Sequence, residues 1–332
     1  MNPIFKKCKF AVLFNDDAAD APDANFLRHA GCNIDNSILI LQKGKKLLIT
    51  SEMNYSKAKK LCKFHVKAVE RKDIPVFLKK LVGKMKIGVD FEGVSAGRYK
   101  RMKKVFGKKI VDIHPELVQM RAIKTKNEIK NISKAVKITK KILSNLKLKP
   151  NMREIDVVRA LRFVCIKNNV LFSFPPIVAA GKNSSKPHHT PEKKKLGKGI
   201  VLVDFGIKYK NYCSDLTRCY FLGKCKKERE KYEEAKKIFY EIIKNIEKCK
   251  NFGELTKNAG KIVKRNGWKK MVHSIGHGIG IDVHDFPLFY KKSKQKLQDN
   301  MAFAIEPAWY GKKFGVRFEQ NLILKKGKPR IL

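Results

Sequence analysis

The chain has 332 residues, 43% of them hydrophobic, with 75 lysines and arginines against 30 acidic residues and a formal charge of +45. That length fits two domains with real apolar cores, and the hydrophobic share excludes a wholly disordered chain. No apolar run approaches the roughly 18 residues of a membrane-spanning helix, and the run after Lys6 and Lys7 ends at Asn15-Asp16-Asp17, too early for a secretory signal.

A cytoplasmic location is the expectation. The eight cysteines are scattered, with no Cys-x-x-Cys pair and no zinc-finger spacing, and read as reduced, partly buried thiols. The charge could point to nucleic acid or an anionic membrane. Lysines outnumber arginines heavily, however, and run the whole length of the chain, as between Lys224 and Lys248. Phosphate recognition leans on arginine forks, so any nucleic-acid contact is expected to be non-specific and salt-sensitive.

Residues 1–115 read as a small α/β domain. Ser37–Leu41 and Lys46–Thr50 flank Gln42-Lys43-Gly44-Lys45, a hairpin signal. Helical patterns at about 53–63, 73–82 and 95–106 alternate with β-like runs at Val66–Glu70, Lys86–Asp90 and Ile110–Ile113. No catalytic constellation assembles there. Residues 116–332 form the second domain. A helical stretch, continuous or with one break, runs from near Pro115 to about Leu146, followed by a helix over about 152–168. Strands are expected at Ile200–Ile207 and Tyr212–Leu222, helices at about 227–248 and 254–266, and strands at Met301–Trp309 and Gly315–Leu324. No Walker loop and no Gly-x-Gly-x-x-Gly is present.

Chemistry concentrates in the second domain. Asp204 in Val203-Asp204-Phe205-Gly206 and Asp215 in Ser214-Asp215-Leu216-Thr217 sit in apolar, strand-like surroundings. Burying an ionised carboxylate is costly without a cation or strong donors, and two that converge from neighbouring strands repel each other. His277 and His284 lie in a glycine-rich stretch, Gly276-His277-Gly278-Ile279-Gly280 and then Val283-His284-Asp285. Glu306 and Glu319 each lie in an apolar strand, where glutamate is seldom buried alone. Four carboxylates and an imidazole make an oxygen-rich donor set that suits manganese, cobalt, iron or zinc better than copper. His188 in Pro187-His188-His189 could point into the same cleft.

The order of these motifs resembles the pita-bread metallopeptidases: methionine aminopeptidase, aminopeptidase P, prolidase and creatinase. Pro187-His188-His189-Thr190-Pro191 leading into Val201–Gly206, and Met120-Arg121-Ala122-Ile123-Lys124 followed by Glu128-Ile129, are similar to prolidase and aminopeptidase P. The resemblance implies an α/β (α+β) protein, with a small N-terminal α/β domain and a C-terminal pita-bread catalytic domain. It implies two divalent metals, manganese or cobalt before iron or zinc. Asp204 would chelate one metal, Asp215 and Glu319 would bridge both, and His277 and Glu306 would complete the coordination of the second metal. Glu306 would shuttle protons, His188 and His284 would contact the substrate, Arg317 would lie at the pocket or support Glu319, and Thr217 would orient Asp215. The implied activity is hydrolysis of Xaa-Pro peptide bonds by a metal-bridging hydroxide, of the prolidase or aminopeptidase P type; the alternatives are a methionine aminopeptidase-like activity or a non-catalytic pita-bread protein that binds nucleic acid or ribosomes. Short proline-containing peptides and a homodimeric partner are implied as well. The sequence departs from the family at Asn211, Asp285, Leu288 and Gln320. Leu288 stands where some prolidases carry an arginine, which weighs against a dipeptidase.

Overall fold

Strand Phe10–Asn15 organises the first part of the chain, because its alternating side chains feed two cores: Ala11 and Leu13 face one, Phe10 and Val12 the other. The structure, a computed structural model, describes residues 3–16, 22–269 and 271–332. It divides into two units, Met1–Arg121 and Ala122–Leu332.

In the first unit six strands form one mixed sheet in the order His65–Ala68, Lys45–Thr50, Ser37–Gln42, Phe10–Asn15, Ile87–Val89, Ile110–Asp112. The hairpin expected around Gly44 pairs Gln42 with Lys45, and Gly44 supplies the turn with φ 74°. Helices Glu52–Leu61, Ile74–Val82 and Ala96–Phe106 fall where the periodicity placed them. Strand Phe10–Asn15 and helix Ala24–Ala30 were not anticipated.

The helical stretch expected from Pro115 to Leu146 is two helices, His114–Ala122 at the end of the first unit and Lys126–Ser144 in the second. Thr125 starts the second with a capping box: its hydroxyl accepts from the Glu128 amide, and the Glu128 carboxylate accepts from the Thr125 amide at 2.8 Å. Strand Gly199–Phe205 lies between Ile177–Ala180 and Leu216–Leu222, with Asp204 opposite both Ile177 and Thr217. A second sheet runs Gly276–Gly278, Ala302–Ile305, Gln320–Lys325, Lys328–Ile331. Helices Lys226–Ile246 and Phe252–Arg265 pack their apolar faces, including Phe239, Ile242, Phe252 and Leu255, into a core shared with Phe303, Ile305 and Leu322.

The expected long strands are interrupted at the chemically important residues. Ile200–Ile207 ends at Phe205, because Gly206 lets the Ser214 carbonyl approach to within 1.9 Å of where a Cβ would sit. Tyr212–Leu222 breaks at Ser214-Asp215, Met301–Trp309 at Glu306-Pro307, and Gly315–Leu324 at Phe318-Glu319. Asp215, Glu306 and Glu319 therefore sit at gaps between strands rather than within them as expected, and only Asp204 is truly embedded in a strand. A break frees the side chain from strict two-residue alternation, so all three can be aimed at one point. Among the described residues, no helix is long and apolar enough to cross a membrane.

Candidate metal centre and cleft

The sheet registers bring the acidic residues together. Ile305 pairs with Gln320, so the next residue of one strand and the preceding residue of the other, Glu306 and Glu319, face each other across the break. His277 pairs with Ala304 on the adjacent strand. One oxygen each from Asp204, Asp215 and Glu319 lie within 4.8 Å of one another, as do ligand atoms of His277, Glu306 and Glu319. All five expected ligands thus converge.

Their surroundings are those of a cation site. Asp204, Asp215 and Glu319 are buried, and Asp204 Oδ1, Asp215 Oδ1 and Glu319 Oε1 accept no hydrogen bond. Buried polar atoms are otherwise almost always paired. The His277 ring gives its Nδ1–H to the Gly278 carbonyl at 3.0 Å. That leaves Nε2 facing Asp215 Oδ2 at 3.5 Å, Glu319 Oε1 at 3.6 Å and Glu306 Oε1 at 3.9 Å. A lone-pair nitrogen and three unpaired carboxylate oxygens are donors without an acceptor, which is what divalent metals take up. The residues fit the metal pair that the motif order implies.

The protonation energetics agree. Burial pushes Asp215 well above the usual carboxylate range, and its neighbours Glu319 and Asp204 push it further. Burial likewise raises Asp204, against the pull of Arg317. Glu306 is pushed up to about 8, by burial first and by Glu319 second. For Glu319, burial raises the carboxyl, but the neighbouring His277 and Arg317 and the hydrogen bond from Thr217 outweigh it and hold it below the ordinary value. Carboxylates this resistant to ionisation are stable as anions only beside compensating positive charge.

One guanidinium ties the centre together. Arg317 Nη2 donates to Asp204 Oδ2 at 2.6 Å, Nη1 to the Tyr310 hydroxyl at 2.6 Å and to the Pro187 carbonyl at 3.4 Å, and Nε to Thr217 Oγ1 at 2.8 Å. Thr217 in turn donates to Glu319 Oε2 at 2.8 Å. The expected roles shift accordingly. The Thr217 hydroxyl orients Glu319 and not Asp215, whose backbone amide is instead held by Asn321 Oδ1 at 2.9 Å. Arg317 reaches Glu319 through Thr217 and grips Asp204 directly; it lines the cleft, but its donors are engaged by protein.

The centre opens into a cavity of about 990 Å³ that His188, His284 and Arg317 all line. The His284 ring packs on His277 with centroids 4.3 Å apart, and burial lowers its pKa. His188 is carried by a loop fastened from behind. Glu154, fully buried at the start of helix Glu154–Lys167, accepts from His189 Nε2 at 2.8 Å, the Ala180 amide at 2.8 Å, the Asn183 side chain at 2.9 Å and the Glu192 amide at 2.9 Å. A buried ion pair, Lys124 Nζ to Asp285 Oδ2 at 3.3 Å, anchors the segment after His284.

One cleft residue, His273, and the tyrosine it touches were missed in the sequence. His273 Nε2 lies 3.1 Å from the Tyr310 hydroxyl, and its Nδ1 lies 3.6 Å from Glu306 Oε2. Burial lowers His273 to about 4. Its spacing of four before His277 was the available signal; Tyr310 had none.

Comparison with known proteins fits this geometry. Residues 130–326 match metallopeptidase family M24, and residues 31–123 match the creatinase/prolidase N-terminal domain. An uncharacterized peptidase of Methanocaldococcus jannaschii is 37% identical over 227 residues, a match that spans 64% of each chain and so less than two thirds of that relative's length. A Xaa-Pro dipeptidase of Pyrococcus horikoshii is 29% identical across 100% of this chain and 98% of its own. The crystal structure of an X-Pro aminopeptidase from Thermotoga maritima superposes with a TM-score of 0.89 at 28% identity, covering 98% of this chain and 95% of that one. The architecture is that of an N-terminal creatinase-type domain followed by a pita-bread domain, and the chain belongs to metallopeptidase family M24.

Proposed function

We propose that the protein hydrolyses Xaa-Pro peptide bonds with two divalent metals held by Asp204, Asp215, His277, Glu306 and Glu319, manganese or cobalt being the first candidates. The observation that carries this reading is the convergence of Asp204, Asp215 and Glu319 oxygens that accept no hydrogen bond beside the Nε2 of His277. Bound metals would supply Lewis acidity at the scissile carbonyl and a water that is deprotonated near neutral pH.

The chain's own residues have separable tasks. Glu306, at the edge of the cluster nearest His273, is the group to carry a proton to the leaving proline nitrogen. His188 and His284 line the cavity where a developing oxyanion needs N–H donors, and the lowered pKa of His284 keeps it a neutral donor. Arg317 fixes Asp204 directly and Glu319 through Thr217, so the ligands need no reorganisation during turnover.

The finer reading is an aminopeptidase that acts on peptides longer than two residues. Arg317 is the one lysine or arginine among the described residues lining the cavity, and its donors are engaged. The wall around Leu288, Phe289 and Tyr290 is apolar and suits continued chain better than a terminal carboxylate. A length series tests this: Ala-Pro, Ala-Pro-Ala-Ala and a Met-Ala peptide. The expected kcat/KM is roughly tenfold or more higher for the longer proline peptide than for the dipeptide, the size of one lost charge-assisted contact. A dipeptide cleaved as fast or faster would overturn the length preference. Cleavage of Met-Ala but not of the proline peptides would overturn the proline reading itself.

A further inference from the structure

We propose that Cys32 and Cys62, in the N-terminal unit, form a modification site: a disulfide closes between them on exposure to a low-molecular-weight disulfide such as oxidised glutathione, and it braces that unit. Their Sγ atoms lie 3.0 Å apart and both residues are buried. A disulfide bond is about 2.05 Å long, so closure needs a movement of only about 1 Å.

The fold brings the two sulfurs together for local reasons. Cys32 follows Gly31, whose φ of 76° ends helix Ala24–Ala30. Cys62 ends helix Glu52–Leu61 with its amide bonded to the Ala58 carbonyl at 2.8 Å. Between them the hairpin Ser37–Gln42/Lys45–Thr50 reverses the chain. Further contacts close the segment on itself. Ser37 and Thr50 hydroxyls meet at 2.9 Å, and Asn54 Nδ2 donates to the Asp35 carbonyl at 2.9 Å. The bond would therefore add a covalent tie across a segment that native contacts already fold back.

The chemistry balances. One cysteine, as thiolate, attacks the glutathione disulfide, forms a mixed disulfide and releases one glutathione thiol. The second cysteine attacks the protein sulfur of that adduct and releases the other thiol. Two electrons and two protons thus pass from the cysteine pair to the oxidant. Burial, and then the neighbouring Cys32, push the Cys62 thiol up to about 12. Reaction is accordingly slow, which suits a lasting brace rather than a fast sensor.

The test uses the full-length protein under native conditions, incubated with oxidised glutathione. Thiols titrated after denaturation should fall from eight to six (eight minus one pair). Peptide mapping should place one link between Cys32 and Cys62, and the first thermal transition should rise by roughly 5–10 °C. Reductant should reverse the shift, and Cys32→Ala/Cys62→Ala should show none. Retention of all eight thiols, a link at another pair, or a stable glutathione adduct in place of the link would each overturn the proposal. None of these readouts depends on peptidase activity.

Discussion

Glu154 Oε2 and His189 Nε2 meet at 2.8 Å with both side chains shielded from water, and this pair fastens the loop that presents His188 to the cleft. Burial alone would raise the Glu154 carboxyl; the hydrogen bonds from His189, Ala180, Asn183 and Glu192 outweigh it and hold the carboxyl below its ordinary value. A carboxylate with a lowered folded-state pKa binds fewer protons folded than unfolded. Its stabilisation is therefore fully present above the unfolded value of about 4.3 and drains away as pH falls through the lowered value. Glu154→Gln, which loses the charge and an acceptor, should cost roughly 2–3 kcal/mol at pH 7. Urea midpoints of both proteins between pH 3 and 7 check this. The gap should narrow as the solution becomes acidic, and a gap of constant width would contradict the account.

Without metal, Asp215 is a buried carboxylate beside two others. Asp215→Asn removes part of that repulsion together with a ligand. The metal-free variant should melt no lower than metal-free wild type, against the usual direction for a buried substitution. Wild type should gain about 2.7 kcal/mol at a hundredfold excess of metal over Kd, a rise of roughly 5–10 °C in the transition of a unit of this size. The variant should lose most of that gain. Thermal scans with EDTA and with manganese read both effects.

Thr217 passes orientation from Arg317 to Glu319 through a single hydroxyl. Thr217→Val keeps the shape and deletes the hydroxyl, which leaves the Arg317 Nε–H and Glu319 Oε2 without this partner. Metal affinity measured by calorimetry should fall about 10–100-fold. An unchanged affinity would show that Glu319 is held in place by other contacts.

Much of this was legible in the sequence because the ligands are short-range exceptions to apolar patterning. Asp204, Asp215, Glu306 and Glu319 stand out as acids in otherwise hydrophobic stretches, and His277 stands out between glycines. The strand interruptions at Asp215 and Glu319 were not legible, since Ser214-Asp215 and Phe318-Glu319 carry no proline or glycine to mark a break. Thr217 lay close enough to Asp215 in sequence to suggest a local pairing. Its actual partner, Glu319, is 102 residues away and is reached only through the packing of two sheets. The Glu154–His189 fastening and the His273–Tyr310 contact span 35 and 37 residues, and they too are set by tertiary geometry that no local pattern encodes.

The most direct test of the central claim is release of the N-terminal residue from a Xaa-Pro peptide by manganese-loaded protein, compared with Glu306→Gln at matched metal content. The wild-type protein should cleave, and the variant should lose about 10²–10⁴-fold in kcat, the usual share of a positioned acid–base group. A wild-type protein that leaves the peptide intact, or a variant that turns it over at the wild-type rate, would contradict the account.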